Sequence, residues 1–184
     1  MLEAQIGSIR SPKEQQQQLI NDTYKIAHEF LPRVGLSEEN TYLLLHVVNP
    51  TAHIHQIKDP KIKACALFGA SFHADDWRME SGASVVLHVD GVARITNEWI
   101  GAGHVQCTQE DVDVITVASY THDVIERCIK KKMRYSYHNL WFDLMKLGLS
   151  YDDARAVATI TQVLTPEVMG VGGYEPSPLY HHLS

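Results

Sequence analysis

Eleven histidines in 184 residues are the unusual count in this chain, and they make a metal site worth weighing. His53-Ile54-His55 sets two of them two residues apart. On a strand, where side chains alternate between faces, both would leave the same side, a workable spacing for a metal. His73-Ala74-Asp75-Asp76 and His88-Val89-Asp90 each place a carboxylate two residues after an imidazole. A His-x-Asp pair joined by a distant histidine is the facial donor set that non-haem iron uses. The candidate ligands are therefore His53, His55, His73, Asp75 and His88, around a divalent ion such as zinc or iron. The plainer expectation is no cofactor at all, with these side chains packed or solvated and Asp90 occupied in a turn.

Three further groupings bear on chemistry. His122-Asp123 resembles the His-Asp doublet of metal-dependent phosphohydrolases of the HD type. The resemblance covers those two residues and implies an all-helical chain, whereas the middle of this sequence reads as strand-rich. His122 also falls on the apolar stripe of a helix, where a core histidine is the expectation. Gly103-His104-Val105 resembles the histidine strand of papain-like cysteine peptidases, but the residues usual around the nucleophile are missing near Cys65. Lys130-Lys131-Lys132 with Arg134, Tyr135 and Tyr137 would suit phosphates and bases, yet mid-helix its cations point in several directions and read as a solvated face. The sequence holds no glycine-rich phosphate loop after a strand and no Gly-x-Ser-x-Gly elbow.

The termini carry a different signal. Residues 168–184 contain Gly170, Gly172, Gly173, Pro176 and Pro178, which prevent independent folding, yet also Val168, Met169, Val171, Tyr174, Leu179, Tyr180 and Leu183. Solvated linkers avoid such side chains. With Leu2, Ile6 and Ile9 at the other end, these segments read as arms that dock onto the protein's own surface or a neighbouring subunit. Leu179 and Tyr180, helped by Tyr174 and Leu183, are the expected partner-binding anchors.

The elements that must position these residues follow from pattern. The length fits one domain, here an arm at 1–10, a core at 11–166 and an arm at 167–184. A hydrophobic share of 45% and a charged share of 21% describe an ordinary globular chain. A formal charge of −6 argues against nucleic-acid binding through a general basic field. No apolar run is long enough to span a membrane, and no signal peptide is visible. Cys65, Cys107 and Cys128, odd in number and far apart, suit a reducing compartment; the expected location is the cytoplasm or an assembled particle.

Ser11-Pro12-Lys13-Glu14 opens a helix through a capping box, and Pro32 and Gly35 close it. Thr41–Val48, Ala52–Ile57, Ile62–His73 and Gly101–Cys107 read as strands. Ser84–Trp99 reads as a β-hairpin turning at Asp90-Gly91, with Gly91 at positive φ. Thr108 caps a long helix running to Leu147, and a second helix starts at Tyr151 and ends by Leu164. The expected fold is α+β: a mainly antiparallel sheet of about five strands, an N-terminal helix and a C-terminal helical hairpin. The leading functional expectation is a non-enzymatic assembly or binding protein that self-associates through its arms as a homo-oligomer or larger assembly, for example a virion component. The alternative is a small metal-dependent hydrolase or oxygenase using strand histidines.

Overall fold

The structure, a computed structural model, describes residues 10–77 and 82–163. Among the described residues the chain forms eight α-helices: α1 (Pro12–Phe30), α2 (Glu38–Val47), α3 (Pro60–Ser71), α4 (Val85–Gly101), α5 (Gln109–Thr121), α6 (Val124–Lys130), α7 (Tyr137–Lys146) and α8 (Tyr151–Val163). Short 3-10 turns at Leu31–Val34 and His53–Gln56 link the first of them. The fold is a helical bundle, and the expected α+β architecture with a five-stranded sheet is overturned. An isolated bridge between Trp77 and Ser84 is the only β pairing among the described residues. No described helix is long and apolar enough to cross a membrane.

Local capping explains the helices that the sequence does announce. The Ser11 hydroxyl accepts from Glu14 N while the Glu14 carboxylate accepts from Ser11 N, so α1 starts on a reciprocal box. Thr108 and Asp111 do the same at the head of α5. The single long helix expected beyond Thr108 is instead three, α5, α6 and α7. Ser136 caps the last of them with Asn139.

Three of the expected strand segments are helical instead, each capped by a side chain. Thr41–Val48 lies within and just past α2, whose cap is Ser37, donating no proton but accepting Asn40 N–H. Ile62–His73 is mostly α3, capped by Asp59, which accepts from Lys61 and Ile62 N–H. Every residue from Ile62 to Ala70 is buried. A helix covered on all sides has no polar face, so its sequence shows no helical period and reads as a buried strand. Within α4, Val86, Val89, Asp90 and Ala93 are the buried positions. That is the i, i+3, i+4, i+7 spacing of one helix face. Ser84 caps α4 by accepting Val86 N–H, and Asp90-Gly91 lies inside the helix.

The core is arranged around α3, which touches α1, α2, α4 and α5. Gly69 marks its closest approach: a Cβ built there would stand 2.6 Å from Tyr120 O and 2.8 Å from Thr121 Cγ2. Only a residue without a side chain lets the backbones of α3 and α5 meet this way. Helix α5 also packs against α4 and α8, and α7 pairs with α8. The C-terminal end of α3 is thus clamped against the C-terminal end of α5, with α4 alongside.

Candidate metal centre

That clamp brings three separate stretches together. His122 caps the end of α5, and Asp123 follows as the residue before α6. His88 sits in the first turns of α4, the helix packed against α5. His73 lies just past α3. One ligand atom from each of His88, His122 and Asp123 falls within 4.8 Å of the others. His122 Nε2 stands 3.1 Å and His88 Nε2 3.9 Å from Asp123 Oδ2, and the two rings meet edge to face at 5.7 Å. Ligands bound to zinc at 2.0–2.1 Å lie about 3.3 Å apart in a tetrahedral shell, so small side-chain adjustments would close this set.

The protonation pattern suits a cation. His122 Nδ1 donates to Ser119 O at 2.8 Å, which directs Nε2 toward Asp123. Fixing one ring nitrogen on a carbonyl to present the other is how metal-binding histidines are oriented. Burial disfavours charge on His122, but the hydrogen bond and charge of Asp123, the Ser119 carbonyl and Glu126 outweigh it and raise its pKa. Burial likewise opposes ionisation of Asp123, yet His122, with the nearby His73 and His88, holds the carboxyl below its usual range. The two shifts agree that a carboxylate buried to this depth is sustained by positive charge around it.

A second layer lies beside it. His73 Nδ1 is 3.4 Å from Asp76 Oδ2. Arg127, one turn past Asp123 on α6, pairs with Asp76 and with Asp75, and its Nε donates to Phe72 O. Lys131, a turn further, pairs with Asp75. A shallow recess lined by Leu36, Leu43, Phe72, Met133, Asp75 and Lys131 adjoins this ion-pair group.

Of the ligands expected from the sequence, the structure groups His88 with His122 and Asp123, sets His73 beside Asp76, and leaves the rest elsewhere. His53 and His55 lie on a 3-10 turn instead of a strand. His55 Nε2 donates to Asn49 O at 3.2 Å, and its Nδ1 shares a hydrogen bond with the Thr23 hydroxyl at 2.9 Å. His53 lies by Asp90 through its backbone, with N–H donated to Oδ2 at 2.8 Å. Asp90 has no turn role; its Oδ1 accepts from Ile54 N at 2.9 Å and from the Tyr120 hydroxyl at 2.7 Å. Asp75 serves Arg127 and Lys131. Sequence reasoning set aside His122 and Asp123, whose adjacency was the available signal, and passed over Asp76 and Arg127, which carry none. Tyr174, Leu179, Tyr180 and Leu183 lie outside the described residues. Cys65 is buried and its thiol pKa is pushed up by burial, as an inert thiol requires.

Compared with models of known protein families, with curated proteins and with solved structures, the chain matches none. Nothing in those comparisons supports an assembly or virion role, and the helical bundle overturns the α+β description that accompanied it.

Proposed function

We propose that this chain is a metal-dependent hydrolase of phosphate esters, with the metal held by His88, His122 and Asp123. The observation that carries the reading is the convergence of two imidazoles and a carboxylate, from α4 and from the α5–α6 junction, to within 4.8 Å of one another. Two neutral-nitrogen donors and one anionic oxygen form a partial shell that leaves positions for water and substrate. The resemblance of His122-Asp123 to the doublet of HD-type phosphohydrolases implies both the reaction class and an all-helical chain, and the chain described above is helical.

A divalent ion bound there would supply Lewis acidity toward a phosphoryl oxygen and toward water. The protein's own part is positional. Ser119 O fixes the His122 ring, the Gly69–Tyr120 contact fixes the end of α5, and Arg127 anchors the segment after α3.

The test is hydrolysis of p-nitrophenyl phosphate and bis(p-nitrophenyl) phosphate by protein loaded in turn with manganese, cobalt, zinc and ferrous iron. Metal-dependent release of nitrophenolate is expected, falling by at least about 100-fold in a folded Asp123→Asn variant. Equal activity in that variant, or none from the wild type with any of the metals, would sink the proposal.

A further inference from the structure

Helix α6 ends on a strained residue. Met133 N–H donates to Cys128 O at 2.8 Å and Lys132 N–H to Ile129 O at 3.0 Å, the pair of bonds that closes a helix on a left-handed position. Glycine normally fills that position, because it has no Cβ to strain there. Here it is Lys132, at φ 55°, the only non-glycine residue with positive φ among the described residues. A cation is favoured at a helix C-terminus, but Arg127 and Lys130 already supply one in the last turn. Strain held by a charged side chain points to a contact that uses the charge. The residues on either side, Lys131 and Met133, line the recess described above, together with Leu36, Leu43, Phe72 and Asp75. Its volume is about 270 Å³, just below the range of about 300–1,000 Å³ for small-molecule sites, so it suits a ligand of one or two rings. Leu43 and Met133 are 42% and 49% exposed, so part of the apolar wall is open to an incoming group.

We propose that this recess binds a small aromatic acid, its ring against Leu36, Leu43, Phe72 and Met133 and its anionic group held by Lys131 and Lys132. The charge balance selects an anion. Among the described residues, ion pairs engage Lys130 with Glu126 and Lys131 with Asp75, while none engages Lys132 or Arg134. Asp75 is also shared with Arg127, and an ammonium that spends one N–H on Asp75 has two left. The opposite end of the recess follows the acidic first turn of α2, Glu38 and Glu39, so the anionic group belongs at the Lys131–Lys132 end. The body is set by the walls: Phe72 offers an aromatic partner and Met133 a polarisable thioether, both suited to a flat ring. The site uses none of His88, His122 or Asp123 and stands apart from the metal reading.

The experiment is a calorimetric titration of full-length protein with naphthalene-2-sulfonate and with its neutral counterpart, naphthalene-2-sulfonamide. A sulfonate is a weak metal ligand and no phosphate ester, so the result is independent of the proposed hydrolase activity. The sulfonate should bind at least about tenfold more tightly than the sulfonamide, as a charge-assisted contact implies. Lys131→Gln should remove about tenfold of sulfonate affinity and leave the sulfonamide unchanged. Lys132→Gly should weaken the sulfonate while raising the urea midpoint, because glycine relieves the positive φ. Met133→Asp, at an exposed position, should abolish binding of both. Equal affinity for the two compounds, or unchanged sulfonate affinity in both lysine variants, would overturn the anionic end. A higher midpoint with unchanged affinity in Lys132→Gly alone would overturn the part given to Lys132. No saturable binding of either compound, or full binding in Met133→Asp, would overturn the site.

Discussion

His55 and His73 are equally buried, each 3% exposed, and burial lowers the pKa of both. Their surroundings differ in kind. His55 has both nitrogens engaged, by Thr23 and Asn49, and its own carbonyl accepts the buried Lys63 ammonium at 3.1 Å. Beside the same 3-10 turn, Asp90 of α4 accepts three hydrogen bonds, from His53 N, Ile54 N and Tyr120. Every polar atom there has structural work, which is what a fold-stabilising buried network looks like. His73 has neither nitrogen hydrogen-bonded among the described residues, and its contact is the Asp76 carboxylate at 3.4 Å. Equal burial therefore comes with unequal hydrogen-bond satisfaction.

The largest effect that would break this comparison lies in the satisfied region. Asp90→Ala removes the acceptor of three donors, two of them backbone amides that hold the His53–Gln56 turn against α4. Stranding them should cost roughly 3–5 kcal/mol, read as a lower denaturation midpoint in urea at unchanged slope. A loss below about 1 kcal/mol would show that the Asp90 network does not hold the turn.

Why the sequence misled at this position is physical. An Asp-Gly pair between β-branched runs is a strong local signal for a two-residue turn, and no local signal reveals that the carboxylate is needed by residues 36 and 37 positions earlier. The caps were legible because they are local: Ser11 with Glu14 and Thr108 with Asp111 act over three residues. Helix α3 was not, because burial on all sides erases its period. The centre was half legible. His122-Asp123 is contiguous, but its meeting with His88 depends on packing of α4 against α5, which no spacing encodes.

A second, smaller effect compares the two histidines directly. His55→Leu removes two hydrogen bonds, leaving Asn49 O with the Ala52 N–H as its partner, and should cost about 1–2 kcal/mol. His73→Leu, in metal-free protein, relieves two unsatisfied nitrogens and should leave stability unchanged or raise it by about 1 kcal/mol. Acid does not separate the two, because burial lowers the pKa of both. The folded pKa of His55 is lowered, so its contribution is present above the unfolded value of about 6.5 and lost as pH falls toward the folded one. His55→Leu should therefore flatten the loss of stability below that pH. Equal destabilisation by both leucine variants in metal-free protein would erase the distinction between them.

The smallest effect tests α4 itself, the helix that carries both Asp90 and His88. In a type I′ turn Gly91 would need positive φ, and any side chain with a Cβ, valine above all, would be strained there. In the structure Gly91 is not among the positive-φ glycines. It lies mid-helix, and a Cβ built on it meets nothing within 4 Å. Gly91→Ala should then stabilise the protein by about 0.5–1 kcal/mol, because alanine loses less backbone entropy than glycine on entering a helix. Since Gly91 neighbours Asp90 without contacting its partners, the variant leaves the satisfied network alone and reports only on the helix. A rise in the urea midpoint supports the helix, and a fall would restore the hairpin, separate His88 from the α5–α6 junction and dismantle the centre with it.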